Sequence, residues 1–374
     1  MWVVALGWTG ALLASPATAG NKCRKAPART SADFVAPGPY AVSHRTYTFV
    51  DESRPTPPNG TYPGAPSRTL VTEVWFPATS AGGALVDESG GPYPIVMSSH
   101  GFLSNRIGLD YLAEHLASRG HVVGSVDYPL SRLGAPGGST ATDVHNQPGD
   151  LSFVRDRIVE EFGAVIDGDR MGAQGLSLGG LTTELATFHA DLRDPRIDAA
   201  IALAPPACLF TKRFFKTTRT PFMVVHGDDD QLVPYEENGR RAYKFAGAPK
   251  HLIALEQGSH TGFSTFARAQ DGSTHIDVVG CAAVLQNPPV ADGAGFPGLG
   301  GKEQGVSTDP KRCPELCGDG LPDHPSMGGA RHHELTRIAV AAFFEAYLHD
   351  DVAARCFLRT TLGREHDDIV VKGR

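Results

Sequence analysis

Gln174-Gly175-Leu176-Ser177-Leu178-Gly179-Gly180 is the stretch on which the reading of this chain turns. It contains the pattern G-x-S-x-G. Asp169-Arg170-Met171-Gly172-Ala173 before it has strand character, and Leu181 to Ala190 after it suits a helix. A serine at a sharp strand-to-helix turn is held in a strained conformation with its hydroxyl exposed, and small neighbours let the backbone turn that tightly. The first N–H groups of the following helix then face the space where a negative charge would develop. The chain has 43 glycines, so a five-residue match of this kind also arises by chance. Its meaning rests on what surrounds it.

The surroundings alternate strand and helix. Leu70 to Pro77 alternates like an early strand. Pro94 to Ser99 is a continuous apolar run turning small, as in a buried parallel strand. Leu109 to Ala117 has helical spacing and stops at Gly120. His121 to Val126 is a strand, and a helix starts near Asp150. Further strands cover 197–204, 221–227 and 251–255, with a helix over Glu236–Phe245. His333 to Leu348 is the strongest helix pattern in the chain. This alternation predicts an α/β fold with a mostly parallel, doubly wound sheet and helices on both faces. In such sheets, functional residues gather at the carboxyl ends of strands.

Composition narrows the class. The chain has 374 residues, 41% hydrophobic and 20% charged, which suits a large globular core. A net charge of −7 with no basic run argues against a nucleic-acid partner. Residues 1–19 form a short apolar segment ending in Ala17-Thr18-Ala19, the pattern of a secretory signal, although it lacks a leading Lys or Arg. No other apolar run reaches the length of a membrane span, so no integral membrane segment is expected after its removal. Six cysteines behind an export signal favour disulfides, with the pairing left open. No metal pattern stands out: Cys313-x-x-x-Cys317 has no second close pair, and His324 lies in a Pro-rich loop.

If Ser177 is a nucleophile, it needs a base, and the base needs an orienting acid. In a serine, acid, histidine order, His226-Gly227-Asp228-Asp229-Asp230 offers three aspartates and Gly258-Ser259-His260 one histidine, each just past a strand. An acidic cluster is ordinarily a solvated loop, and most loop histidines carry no chemistry. Agreement in order and in placement is what lifts these residues above that background. Two backbone donors are required for an oxyanion. The Leu178 N–H follows the nucleophile, and His100-Gly101-Phe102 sits after an early strand, where Gly101 permits the turn and Phe102 N–H becomes the second donor. His100 comes before Ser177, out of order for the base, and is expected to support the loop.

These motifs together resemble the α/β-hydrolase superfamily, and within it the dienelactone-hydrolase-like and platelet-activating-factor-acetylhydrolase-like serine esterases. The resemblance covers about residues 70–264 and 330–358. It is carried by Ser98 to Phe102, Asp143 to Val154, Gly175 to Gly180, the H-G-x-x-D-x-x-V-P run from His226 to Pro234, Gly258-Ser259-His260 and the closing helix. It implies a carboxylic ester hydrolase with the triad Ser177, Asp230 and His260. The spacing of the His226 run singles out Asp230 over Asp228. It also implies an oxyanion hole of Phe102 and Leu178, substrate contacts at Gly101 and Leu176, a small-molecule or lipid ester as substrate, and neither cofactor nor metal. Lipase, polyester hydrolase and peptidase activities, or a binding role, are the alternatives.

Three departures stand out. Leu176 occupies a position where these families often have His, dienelactone hydrolases themselves use a cysteine nucleophile, and 264–330 reads as an insertion. The expected layout is a signal at 1–19, a Pro-rich segment at 20–69, a catalytic domain at 70–358 and a tail at 359–374.

Overall fold

A computed structural model describes residues 23–290, 296–318, 320 and 322–374. The expected signal segment at 1–19 lies outside the described residues.

Nine strands form one sheet in the order β1-β2-β4-β3-β5-β6-β7-β8-β9. They are β1 (Ala41–Asp51), β2 (Arg68–Ala78), β3 (Tyr93–Ser99), β4 (Val122–Asp127), β5 (Ile166–Leu176), β6 (Ile197–Leu203), β7 (Phe222–Gly227), β8 (Lys250–Leu255) and β9 (Ile369–Gly373). The six strands from β3 to β8 are parallel to one another, while β1, β2 and β9 join antiparallel at the two sides.

Side chains alternate between two packed faces, as the pleat requires. Ile95, Met97, Phe222 and Val224 enter one apolar cluster, whereas Val96, Met223 and Val225 enter the other. The first cluster is capped by α3 (Gln147–Phe162), α4 (Leu178–Phe188) and α5 (Gly239–Phe245), which contribute Val154, Leu185 and Ala242. The second is capped by α1 (Ser31–Val35), α2 (Asp110–Ser118), α7 (Gly329–Leu348) and α8 (Val352–Thr360), through residues such as Phe34, Leu112, Phe343 and Phe357. Strands buried on both faces explain the continuous apolar runs in the sequence.

Three features differ from the sequence-based expectation. The Pro-rich segment supplies β1 and the tail supplies β9, so both lie in the sheet rather than outside it. The helix expected from Glu236 begins at Gly239. Asn238 holds the preceding turn out of helical geometry, because its side-chain oxygen accepts the N–H groups of Ala207 and Cys208 at 2.9 and 3.0 Å. The 264–330 insertion also contains a helix, α6 (Asp277–Gln286).

Disulfides join Cys23 to Cys356, Cys208 to Cys313 and Cys281 to Cys317. The second ties the insertion to the segment after β6, and the third closes the insertion on itself. Among the described residues, no helix is long and apolar enough to cross a membrane.

Candidate active site

Ser177 sits between the end of β5 and the start of α4, with φ 56° and ψ −118°. A non-glycine residue at positive φ is strained, and the packing around it must hold it there. The Ser177 N–H donates to the Leu203 carbonyl at 2.9 Å, and its carbonyl accepts the Leu181 N–H at 2.9 Å. The glycines are required by close approach. A Cβ on Gly175 would lie 2.2 Å from the Gly179 carbonyl oxygen, and one on Gly179 would lie 2.0 Å from the Ser99 carbonyl oxygen. The turn thus presses the start of α4 against the end of β3, with the Ser177 side chain left partly exposed.

The Asp230 carboxylate and the His260 ring meet in loops after β7 and β8. His260 Nδ1–H donates to Asp230 Oδ2 at 2.7 Å. The other oxygen, Oδ1, accepts the N–H groups of Leu232 and Val233 at 3.0 and 2.6 Å. His226 Nε2 lies 3.1 Å from Asp230 Oδ2. Burial disfavours the Asp230 charge, but the His260 charge and the hydrogen bonds from His226 and His260 outweigh it and hold its carboxyl far below the usual range. Burial likewise disfavours the imidazolium of His260, yet the Asp230 charge and hydrogen bond, with a smaller contribution from Asp277, raise its pKa above the ordinary value. Asp228, by contrast, is exposed, and its carboxylate accepts the Gln257 N–H at 2.8 Å.

The loop after β3 runs alongside the nucleophile. A Cβ on Gly101 would lie 3.4 Å from Ser177 Cβ. Neither the Phe102 N–H nor the Leu178 N–H donates to any group among the described residues. Two unengaged backbone donors beside a strained serine are what an oxyanion requires. His100 braces this loop. The Tyr128 N–H donates to His100 Nε2 at 3.1 Å, so Nδ1 carries the ring proton and donates to the Gly101 carbonyl at 2.7 Å. Burial lowers the His100 pKa, in keeping with this neutral form. Leu103, at φ 58°, donates its N–H to the Ser131 carbonyl at 3.0 Å. Gln147 Nε2 donates to Ser131 Oγ at 2.9 Å, and the Thr182 hydroxyl on α4 donates to Gln147 Oε1. The nucleophile helix and the Phe102 loop are therefore linked through side chains. Leu176 is buried in the apolar cluster on the α2 and α7 side.

The residue that sequence reasoning missed is Asp277, at the start of α6. Its carboxylate is buried and accepts three backbone N–H groups: Gln231 at 3.0 Å, His260 at 3.1 Å and Thr261 at 2.7 Å. One side chain of the insertion thus fastens both the Asp230 loop and the His260 loop. Two histidines of α7 support the same segment, His332 Nε2 contacting the Ser259 carbonyl at 3.1 Å and His333 Nε2 the Ser264 carbonyl at 3.0 Å.

The sheet order and the Ser177 elbow define an α/β-hydrolase fold. A family model described as PETase, PET hydrolase-like, matches residues 73–277, more than half of the chain and a span holding Ser177, Asp230 and His260. The chain belongs to this family. Lipase 1 of Moraxella sp. (strain TA144) is 26% identical over 163 residues, which are 43% of this chain and 46% of that protein, so the match spans less than half of the lipase. A solved structure of a ferulic acid esterase from Streptomyces cinnamoneus has a TM-score of 0.60 at 23% identity, covering 90% of this chain and 98% of that chain. At this identity the likeness concerns the fold.

Proposed function

We propose that the protein is an exported serine hydrolase that cleaves carboxylic esters through an acyl-enzyme intermediate. The observation that carries this reading is the Asp230–His260 hydrogen bond of 2.7 Å at the same sheet end as the strained Ser177. Ser177 Oγ attacks the acyl carbon while His260 Nε2 takes its proton. Asp230 accepts the Nδ1–H throughout, fixes the tautomer and stabilises the imidazolium. The N–H groups of Phe102 and Leu178 hold the oxyanion. His260 then protonates the leaving alcohol, and water, activated by the same ring, releases the acid and restores Ser177.

Membership of a PET hydrolase-like family and similarity to a lipase support an ester rather than an amide as substrate. Export is supported by the Ala17-Thr18-Ala19 pattern and by three disulfides, which persist in oxidising compartments. Hydrolysis of p-nitrophenyl esters of increasing acyl length tests the proposal. Turnover of at least one ester that vanishes in Ser177→Ala is expected. Absence of turnover across the series, or turnover unchanged in Ser177→Ala, overturns it.

A further inference from the structure

On the far side of the Asp230 loop, the residue before the triad acid meets two histidines of the insertion. His275 Nε2 lies 3.3 Å and His324 Nε2 2.9 Å from Asp229 Oδ2, and the three side chains each offer one ligand atom within 4.8 Å of the others. We propose that Asp229, His275 and His324 form a binding site for a divalent transition-metal ion of the zinc class.

Four observations support the assignment. The first is chemical. Two imidazoles and one carboxylate suit a borderline cation, whereas calcium and magnesium take oxygen ligands alone. The second is metric. Metal–ligand bonds of about 2.0–2.1 Å in a tetrahedral site separate neighbouring ligand atoms by about 3.3 Å. The His275 separation of 3.3 Å from Asp229 Oδ2 matches that edge, and His324, now hydrogen-bonded at 2.9 Å, has to draw back by a few tenths of an ångström to admit the ion.

The third is the support behind the ligands. Gln231 Nε2 donates to the other carboxylate oxygen, Oδ1, at 2.7 Å, which fixes the orientation of Asp229 and leaves Oδ2 for the ion. His324 Nδ1 faces Asp323 Oδ1 at 3.8 Å. The fourth is access. His275 is buried and His324 half-exposed, and both line a cavity of about 510 Å³ through which an ion and a water ligand can enter.

The site has a built-in coupling to the catalytic loops. The Asp277 N–H donates to His275 Nδ1 at 3.2 Å, so the ring proton sits on Nε2, which lies 3.2 Å from the Asp229 carbonyl oxygen and 3.3 Å from its Oδ2. An ion on Nε2 moves that proton to Nδ1 and ends the contact with the Asp277 N–H. Asp277 is the residue whose carboxylate fastens His260 and Gln231. The ion therefore joins three segments: the Asp230 loop, the start of α6 and the chain near His324. The Cys281–Cys317 disulfide already draws the last two together. This inference rests on the contact between the insertion and Asp229 and stands whether or not the ester chemistry is correct.

The test is zinc titration of the full-length, disulfide-intact protein after dialysis against EDTA, read by calorimetry and by thermal unfolding. One zinc ion per chain and a rise of several degrees in Tm at saturating metal are expected, because an ion that binds only the folded state stabilises it. Calcium at the same concentration leaves Tm unchanged. His324→Ala, at a half-exposed position, weakens zinc binding at least 10-fold while Tm in EDTA stays at the parent value. Gln231→Ala weakens it about 10–100-fold, the usual effect of removing a partner of a metal ligand. Lack of a one-to-one zinc complex, or equal zinc affinity in the parent and His324→Ala, overturns the proposal and leaves the three side chains as a hydrogen-bonded cluster.

Discussion

The Asp277 carboxylate accepts the backbone N–H of His260 at 3.1 Å, although the two residues are 17 positions apart, one at the start of α6 and the other in the loop after β8. The same carboxylate holds the Asp230 loop through Gln231. Asp277→Ala removes three hydrogen bonds to two carboxylate oxygens at once and leaves their N–H groups unpaired, at about 1–3 kcal/mol for each buried one. A displacement of His260 on the ångström scale lowers turnover by about 10²-fold. Asp277→Asn keeps one acceptor oxygen and restores part of the loss. Steady-state kinetics on a p-nitrophenyl ester, alongside Tm, separates the two effects. Unchanged kcat in a folded Asp277→Ala protein contradicts this role.

Activity should follow the neutral form of His260. Its pKa is raised above the ordinary value of about 6.5 by Asp230, so the ring is protonated and inactive as a base over a wider acidic range. The acid limb of kcat/KM therefore has its midpoint above about 6.5, and activity rises as pH passes through it. In Asp230→Asn the opposing effect of burial is left, so the midpoint moves below that value, and kcat falls by about 10⁴-fold. A pH–rate profile with the same acid limb in both proteins speaks against the pairing.

The elbow tolerates no side chain at Gly175. An added Cβ meets the Gly179 carbonyl oxygen at 2.2 Å, backbone against backbone, with nothing flexible to give way. Gly175→Ala is expected to cost about 1–3 kcal/mol or more, seen as a fall in Tm together with loss of esterase activity. Parent-like stability would show that the turn is looser than described.

Arg68 ties β2 to α3 and to the segment before it. It is fully buried on β2 and pairs with Asp143 at 2.7 Å and with Asp150 at 2.6 Å. Arg68→Ala takes the buried cation from two buried carboxylates, leaving Asp150 with Arg54 alone and Asp143 with only the Asn146 amide, and is expected to cost about 3 kcal/mol, measurable by urea unfolding. Asp150 lies on α3, whose Gln147 reaches Ser131 and, through it, Leu103. The loss should therefore also loosen the Phe102 loop and lower kcat more than it raises KM.

The sequence made most of this legible where one local signal sufficed. Ser177 sits in a G-x-S-x-G pattern, Asp230 and His260 each follow a strand with an apolar run, and α7 carries a long helical pattern. The edges of the sheet were not legible. In β1 the residues alternate between exposed and half-buried, with polar His44, Arg45 and Thr46 in the run, as suits an edge strand that must resist further pairing. β9 has five residues, of which the last two are Lys372 and Gly373, too short a run to show a period. α6 was hidden because Val278, Val279, Ala282 and Ala283 surround it with apolar residues, and only Asp277 and Cys281 are buried. Asp277 depends on contacts 16, 17 and 46 residues away, and the Asp229–His275–His324 cluster on segments 46 or more residues apart, which no local pattern records.

The most direct measurement is covalent labelling of the full-length protein with a fluorophosphonate, read by intact mass and peptide mapping. The account predicts one adduct per chain, located on Ser177 and absent from folded Ser177→Ala. No adduct on the parent protein, or an adduct that persists in Ser177→Ala, would contradict it.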